Sequence, residues 1–239
     1  MSFPAACCNT PPVKADYAAQ GTTGAIGDMP CYFAGKAGSQ RAILVNYDVF
    51  GYHANVKQLC DILGASGFRV ALPDLLRGNY LTEEDLGKPN VFSDFAAQRG
   101  SWSALSAAYA ATRDHLVAEG ARSVGVLGFC WGGSIVVKAL SVMEGVASGA
   151  IIHPAAVTEE AVAEIAAPLF ALLSKHEPDY TPMFAAIEQK PFFDKCRLVR
   201  FDDMFHGFCG ARGDWANPEQ SKRANEAIAM TVEFFNNTL

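Results

Sequence analysis

Short apolar runs rich in β-branched residues alternate with amphipathic stretches through most of this chain, and that alternation narrows its folds more than any other feature. Residues 41–47 (RAILVNY), 68–72 (FRVAL) and 123–127 (SVGVL) read as buried strands, as do 149–153, 169–173 and 197–201. Between them, Val56, Leu59 and Leu63 recur at helical spacing before Gly67, and Trp102, Leu105, Tyr109, Thr112 and Leu116 do so before Gly120. Further helices are predicted over about 133–143 and at the C-terminus, where Ala224, Ile228, Val232 and Phe235 share a face. Strands separated by helices imply right-handed crossovers, hence an α/β fold with a mostly parallel central sheet and helices on both faces. Residues 32–34 suit an antiparallel edge strand, and 73–100 an extended loop carrying one short helix.

No polar, Pro/Gly/Ser-rich break divides the chain. One domain over 1–239 is expected, with a core from about 31 and residues 1–30 as an extension packed on or near it. A net charge of -6 gives no basic footprint, so nucleic acid is not an expected partner. No apolar run approaches the roughly 20 residues of a membrane span, and the opening MSFPAACCNTPP lacks the features of a secretory signal. A cytoplasmic protein without membrane association is therefore expected. Seven cysteines without a C-x-x-C pair argue against a disulfide framework or a zinc ribbon. The adjacent Cys7 and Cys8 have no further metal ligand nearby in sequence, and no metal is expected.

The segment GFCWGG, residues 128–133, follows a predicted strand and precedes a predicted helix. That is the context of the G-x-S-x-G nucleophile elbow, with Cys130 in place of serine. The flanking glycines let the backbone pass through a strained turn, and the N-terminus of the helix favours thiolate over thiol. An isolated free cysteine is usually a small buried hydrophobe, but the elbow context favours a nucleophile.

Such a nucleophile needs a base, and α/β-hydrolases supply their partners in the order nucleophile, acid, histidine. His206, in FHGF after the last predicted strand, is placed for that role. His153, which ends a strand on the same edge before Pro154, is placed where it could line the pocket, though a structural role fits it better, and His53, His115 and His176 read as helix or loop surface positions. Asp179, in SKHEPDYTP, is the expected acid, holding the imidazole tautomer; Glu177 is its main rival. Asp202 and Asp203 lie too close to His206 along the chain to be first choices.

Together with YDVFG at 47–51, PDLLRG at 73–78, and HGF at 206–208 followed by Arg212, the elbow resembles the dienelactone hydrolase family of the α/β-hydrolase superfamily. The resemblance runs from about residue 40 to the C-terminal helix, and CCNTPPV near the start is similar to fungal members. It implies a cysteine hydrolase of an enol-lactone or related ester, with no cofactor and a thioester acyl-enzyme. It also implies an oxyanion hole built from the backbone N–H groups of Val49 and Trp131. Arg77 and Arg212 would bind a substrate carboxylate, for which a guanidinium fork is suited. At Asp48, bacterial members carry a glutamate that interacts with the resting thiol; the aspartate here is a methylene shorter.

An acyltransferase would use the same triad, and a small-molecule binding protein could keep the fold and pocket without needing a triad at all. Thiol redox sensing would need neither Asp179 nor an oxyanion hole. The oligomeric state is not fixed by sequence, a homodimer being one option.

Overall fold

The computed structural model describes residues 10–239, so Cys7 and Cys8 lie outside the described residues. The apolar runs join in one eight-stranded sheet, ordered β1-β2-β4-β3-β5-β6-β7-β8. Its strands are β1 (Thr22–Ile26), β2 (Met29–Ala34), β3 (Arg41–Asn46), β4 (Arg69–Pro73), β5 (Ser123–Phe129), β6 (Val146–Ile152), β7 (Leu169–Ser174) and β8 (Arg197–Phe201). From β4 onward across the sheet every pairing is parallel, whereas β2 runs antiparallel to both β1 and β4. Strands β4 and β7 are buried along their whole length and β3 and β5 nearly so, which is why they read as continuous apolar runs rather than as alternation.

One expectation changes. Residues 32–34 are antiparallel but interior, because β1 continues the sheet beyond them. The TTGAI of β1 is almost wholly exposed and has no apolar face, so it left no periodic signal. The stretch 73–100 carries the expected short helix, α2 (Val91–Ala97), which buries Phe92 and Phe95, together with a 3-10 turn at Glu83–Asp85.

The longer helices follow the sequence spacing: α1 (Ala54–Ala65), α3 (Trp102–Ala118), α4 (Gly132–Val142) and, closing the chain, α7 (Pro218–Thr238). Short helices α5 (Glu159–Ala163) and α6 (Thr181–Ala185) precede β7 and β8. Several start where the sequence offers a side-chain acceptor to free N–H groups, as Ser101 does for α3 and Asn217 for α7. Among the described residues no helix is long and apolar enough to cross a membrane.

Parallel register carries the C-terminal ends of β3, β5, β6, β7 and β8 to one edge, through pairs such as Asn46↔Gly128, Phe129↔Ile152 and Ser174↔Phe201. The loops leaving that edge hold every candidate catalytic residue, as expected of open parallel sheets. Residues 10–21 run without regular structure across α1 and the loop after β8. There the Val13 N–H donates to the Ala211 carbonyl at 2.9 Å and the Tyr17 hydroxyl to Asp61 at 2.8 Å.

Candidate active site

Cys130 sits at the turn between β5 and α4 with φ of 52°, a left-handed conformation that a side chain adopts only under constraint. The neighbouring glycines are required by close backbone approach. A Cβ on Gly128 would lie 2.3 Å from the Gly132 carbonyl oxygen, and one on Gly132 would lie 2.9 Å from the carbonyl oxygens of both Asn46 and Tyr47. The turn is held by Cys130 N–H donating to Ile152 at 3.2 Å and by its carbonyl accepting from Ala155 at 2.8 Å. Trp131 is buried, its indole N–H donates to Gly100 at 2.8 Å, and its ring meets Phe95 edge-on. The covering segment before α3 is thereby fastened to the elbow.

His206 follows β8 and is fully buried. Its Nδ1 lies 2.7 Å from Glu177 Oε1, and its ring also hydrogen-bonds the Cys130 side chain. Burial disfavours the charged imidazole, but the charge and hydrogen bond of Cys130, with those of Glu177, outweigh it and bring the pKa up to about 9. The arrangement is an acid–base chain from Glu177 through His206 to Cys130.

The expected acid is therefore corrected: the carboxylate on His206 belongs to Glu177, not Asp179. The chain turns tightly after β7, so that the Ser174 N–H donates to Glu177 Oε2 while Oε1 faces the imidazole. Asp179, two residues on, faces solvent and accepts from the Thr181 N–H at 2.9 Å and its hydroxyl at 2.7 Å, which lowers its pKa. Arg200 was not singled out from the sequence, yet its guanidinium donates to the carbonyls of Ser174 at 2.7 Å, Glu177 at 3.0 Å and Pro178 at 2.6 Å. Its strand position gave no hint of this. The His206 N–H is fixed in turn by His176 Nδ1 at 3.1 Å, so His176 is not merely a surface residue.

The remaining candidates divide. Among the described residues neither the Val49 nor the Trp131 N–H donates to a protein acceptor, and both residues are buried beside the elbow. Asp48 is buried, with one carboxylate oxygen accepting from Phe50 N–H at 2.9 Å and the other from Ala211 N–H at 2.9 Å. It braces the β3 loop against the loop that follows His206. Arg212 is also buried, stacked over the Phe50 ring at 4.7 Å, and its Nε donates to the Thr10 carbonyl. Arg77 departs from its expected place in the pocket: it is half exposed and paired with Asp28 of the β1–β2 turn at 2.9 Å. His153, read as structural, lies within the site, its ring centroid 5.1 Å from that of His206. Among the described residues no cluster of His, Cys, Asp or Glu is arranged to hold a metal ion.

With this geometry in place, comparison with known proteins is decisive for ancestry. The dienelactone hydrolase family model matches residues 29–239. The chain belongs to the dienelactone hydrolase family. An uncharacterized AIM2 family protein of Schizosaccharomyces pombe is 31% identical over 227 residues, covering 88% of each chain. A carboxymethylenebutenolidase homolog of Rattus norvegicus is 20% identical, covering 93% of each. Among solved structures, the dienelactone hydrolase of Anabaena variabilis shares the fold at a TM-score of 0.62 and 16% identity, covering 92% of this chain and 97% of its own. As a dienelactone hydrolase family member with the α/β-hydrolase fold, the protein is a hydrolase, and small esters or lactones are the substrates its family acts on.

Proposed function

We propose that this dienelactone hydrolase family member cleaves its ester or lactone through Cys130 as nucleophile, with His206 as base and acid and Glu177 as the carboxylate that orients His206. The observation that carries this reading is the buried His206 ring, engaged by Glu177 on one side and by the Cys130 side chain as well.

In the resting pair the proton lies on His206 and the negative charge on sulfur. The thiolate attacks the acyl carbon, and the carbonyl electron pair moves to oxygen, where the Val49 and Trp131 N–H groups receive it. As the intermediate collapses, the C–O bond to the leaving alkoxide breaks and that oxygen takes the His206 proton; in a lactone it stays attached as a hydroxyl. Neutral His206 then takes a proton from water, the hydroxide attacks the thioester, and the C–S bond breaks to restore thiolate and imidazolium. The acid product gives its proton to solvent. Glu177 holds Nδ1–H throughout, so that the other nitrogen faces the reaction.

A carboxylate on the substrate would depend on Arg212, since Arg77 is committed to Asp28 at the surface. The test compares wild type with Cys130→Ala on activated esters and unsaturated lactones, with and without a carboxylate. Turnover abolished by the substitution supports the reading, and equal turnover by both proteins refutes it. Faster release with added thiol, alcohol or amine would mark an acyltransferase instead.

A further inference from the structure

The reaction described above leaves one buried group at its centre unused. His153 directly follows β6, and among the described residues neither of its ring nitrogens meets a hydrogen-bond partner although the residue is fully buried. Its ring packs against those of Phe129 at 5.7 Å, His206 at 5.1 Å and Phe208 at 5.8 Å. A methyl group on Gly210 would stand 3.6 Å from His153 Nε2 and 2.7 Å from Asp48 Oδ2, so the ring edge lies where the loop after β3 meets the loop after His206.

Two features argue against a plain filler. Buried polar atoms are nearly always satisfied, and an aromatic hydrocarbon of similar size would occupy this volume without leaving two nitrogens orphaned. The backbone is also strained, at φ of 40° in a residue that is not glycine. That conformation is enforced from both sides: the His153 N–H donates to Leu172 at 2.7 Å, and the Ala155 N–H donates to the Cys130 carbonyl at 2.8 Å. Strain and unmet polarity coincide at one residue whose ring packs on that of His206. Burial first, then the charges of His206 and Arg212, disfavour protonation of the ring. A neutral imidazole offers one N–H donor and one bare acceptor.

We infer that His153 contacts the substrate and sets its specificity, hydrogen-bonding an oxygen substituent next to the scissile carbonyl. The preferred acyl groups are then hydroxy, oxo or carboxy acids rather than plain alkanoic acids of the same size. This rests on the hydrolase reading of Cys130 and deepens it. A buried site built to bond an oxygen rejects the analogue that lacks it, because its own polar atoms stay unpaired.

The 4-nitrophenyl esters of hydroxyacetate and propanoate differ by a hydroxyl in place of a methyl. The ratio of their kcat/KM values, divided by the ratio of their hydroxide-catalysed rates, reads the preference directly. Wild type is expected to favour hydroxyacetate by about tenfold or more. His153→Phe is expected to bring that ratio to about one, while His153→Asn, which tolerates the left-handed backbone and keeps a donor, retains part of it. Thermal melts of both variants show that the fold is kept. A wild-type ratio near one, or a ratio that His153→Phe leaves unchanged, overturns the inference. Calorimetric binding of the free acids to Cys130→Ala protein reads the same preference without turnover. Tighter binding of hydroxyacetate, lost on adding His153→Phe, supports the role even if Cys130 is not the nucleophile; equal binding of the two acids overturns it.

Discussion

Glu177 Oε1 lies 2.7 Å from His206 Nδ1, and both side chains are sealed from solvent. A carboxylate in that position fixes the imidazole tautomer and offsets the positive charge of a protonated His206. Asp179, two residues away, shares none of this environment and serves the turn into α6.

The two acids should therefore separate cleanly under mutation. Glu177→Gln is expected to lower kcat/KM by about 10²–10⁴-fold, in the range found when the orienting carboxylate of a triad is made neutral. Asp179→Asn is expected to change it by less than about threefold, since its hydrogen bonds to Thr181 are exposed. Steady-state kinetics on one activated ester decides between them.

The pH dependence follows from His206. Its folded-state pKa of about 9 lies above the unfolded reference of 6.5, so its contribution to stability is complete below about 6.5 and is lost as pH rises through 9. The groups facing it are Cys130, Glu177 and His153. Above pH 9 the imidazolium that protonates the leaving group disappears, so kcat/KM should fall there. In Glu177→Gln, with the partner charge gone, that alkaline limb should move to lower pH. A pH–rate profile of the two proteins checks both the position and the direction of the shift.

Arg200 should matter to rate through Glu177. By donating to the backbone carbonyls of Ser174, Glu177 and Pro178, it holds the carboxylate at working distance. Arg200→Ala is expected to lower kcat about tenfold with a smaller change in KM, and to cost about 1–3 kcal/mol of stability. Arg200→Lys should recover only part of both, since an ammonium cannot reach all three oxygens as a fork does. Kinetics and chemical denaturation read the two effects.

Trp131 links the elbow to the segment that covers it. Trp131→Phe keeps the edge-on contact with Phe95 but removes the donor to the Gly100 carbonyl. Losing that bond should loosen residues 73–100, seen as faster nicking there by limited proteolysis, with a stability cost of about 1–2 kcal/mol.

The sheet was readable because strands buried on both faces must be apolar throughout, and the C-terminal ends of such strands gather the site. The β1 strand was not readable, since TTGAI lies exposed at the edge and needs no pattern. Cys130 and His206 stand where their places after β5 and β8 led the sequence to expect them, because backbone context limits the choice there. The carboxylate that faces His206 is Glu177 rather than the expected Asp179, because both share that context. The choice was made by the tight turn at Ser174, a local geometry that residue type does not encode. Arg77 was misplaced for a related reason: a guanidinium goes to the nearest carboxylate, and Asp28 came from a hairpin that the sequence did not reveal. The orphaned nitrogens of His153 are likewise a property of packing alone.

The central claim is that the acyl group passes through the Cys130 sulfur. Mass spectrometry of wild-type protein, acid-quenched during turnover of an activated ester and digested, tests it most directly. The account expects an acyl mass on the peptide containing Cys130, released by neutral hydroxylamine as a thioester is, accumulating further in Glu177→Gln if deacylation slows more than acylation, and absent from Cys130→Ala. An acyl group found on another residue, or turnover by Cys130→Ala at the wild-type rate, would contradict it.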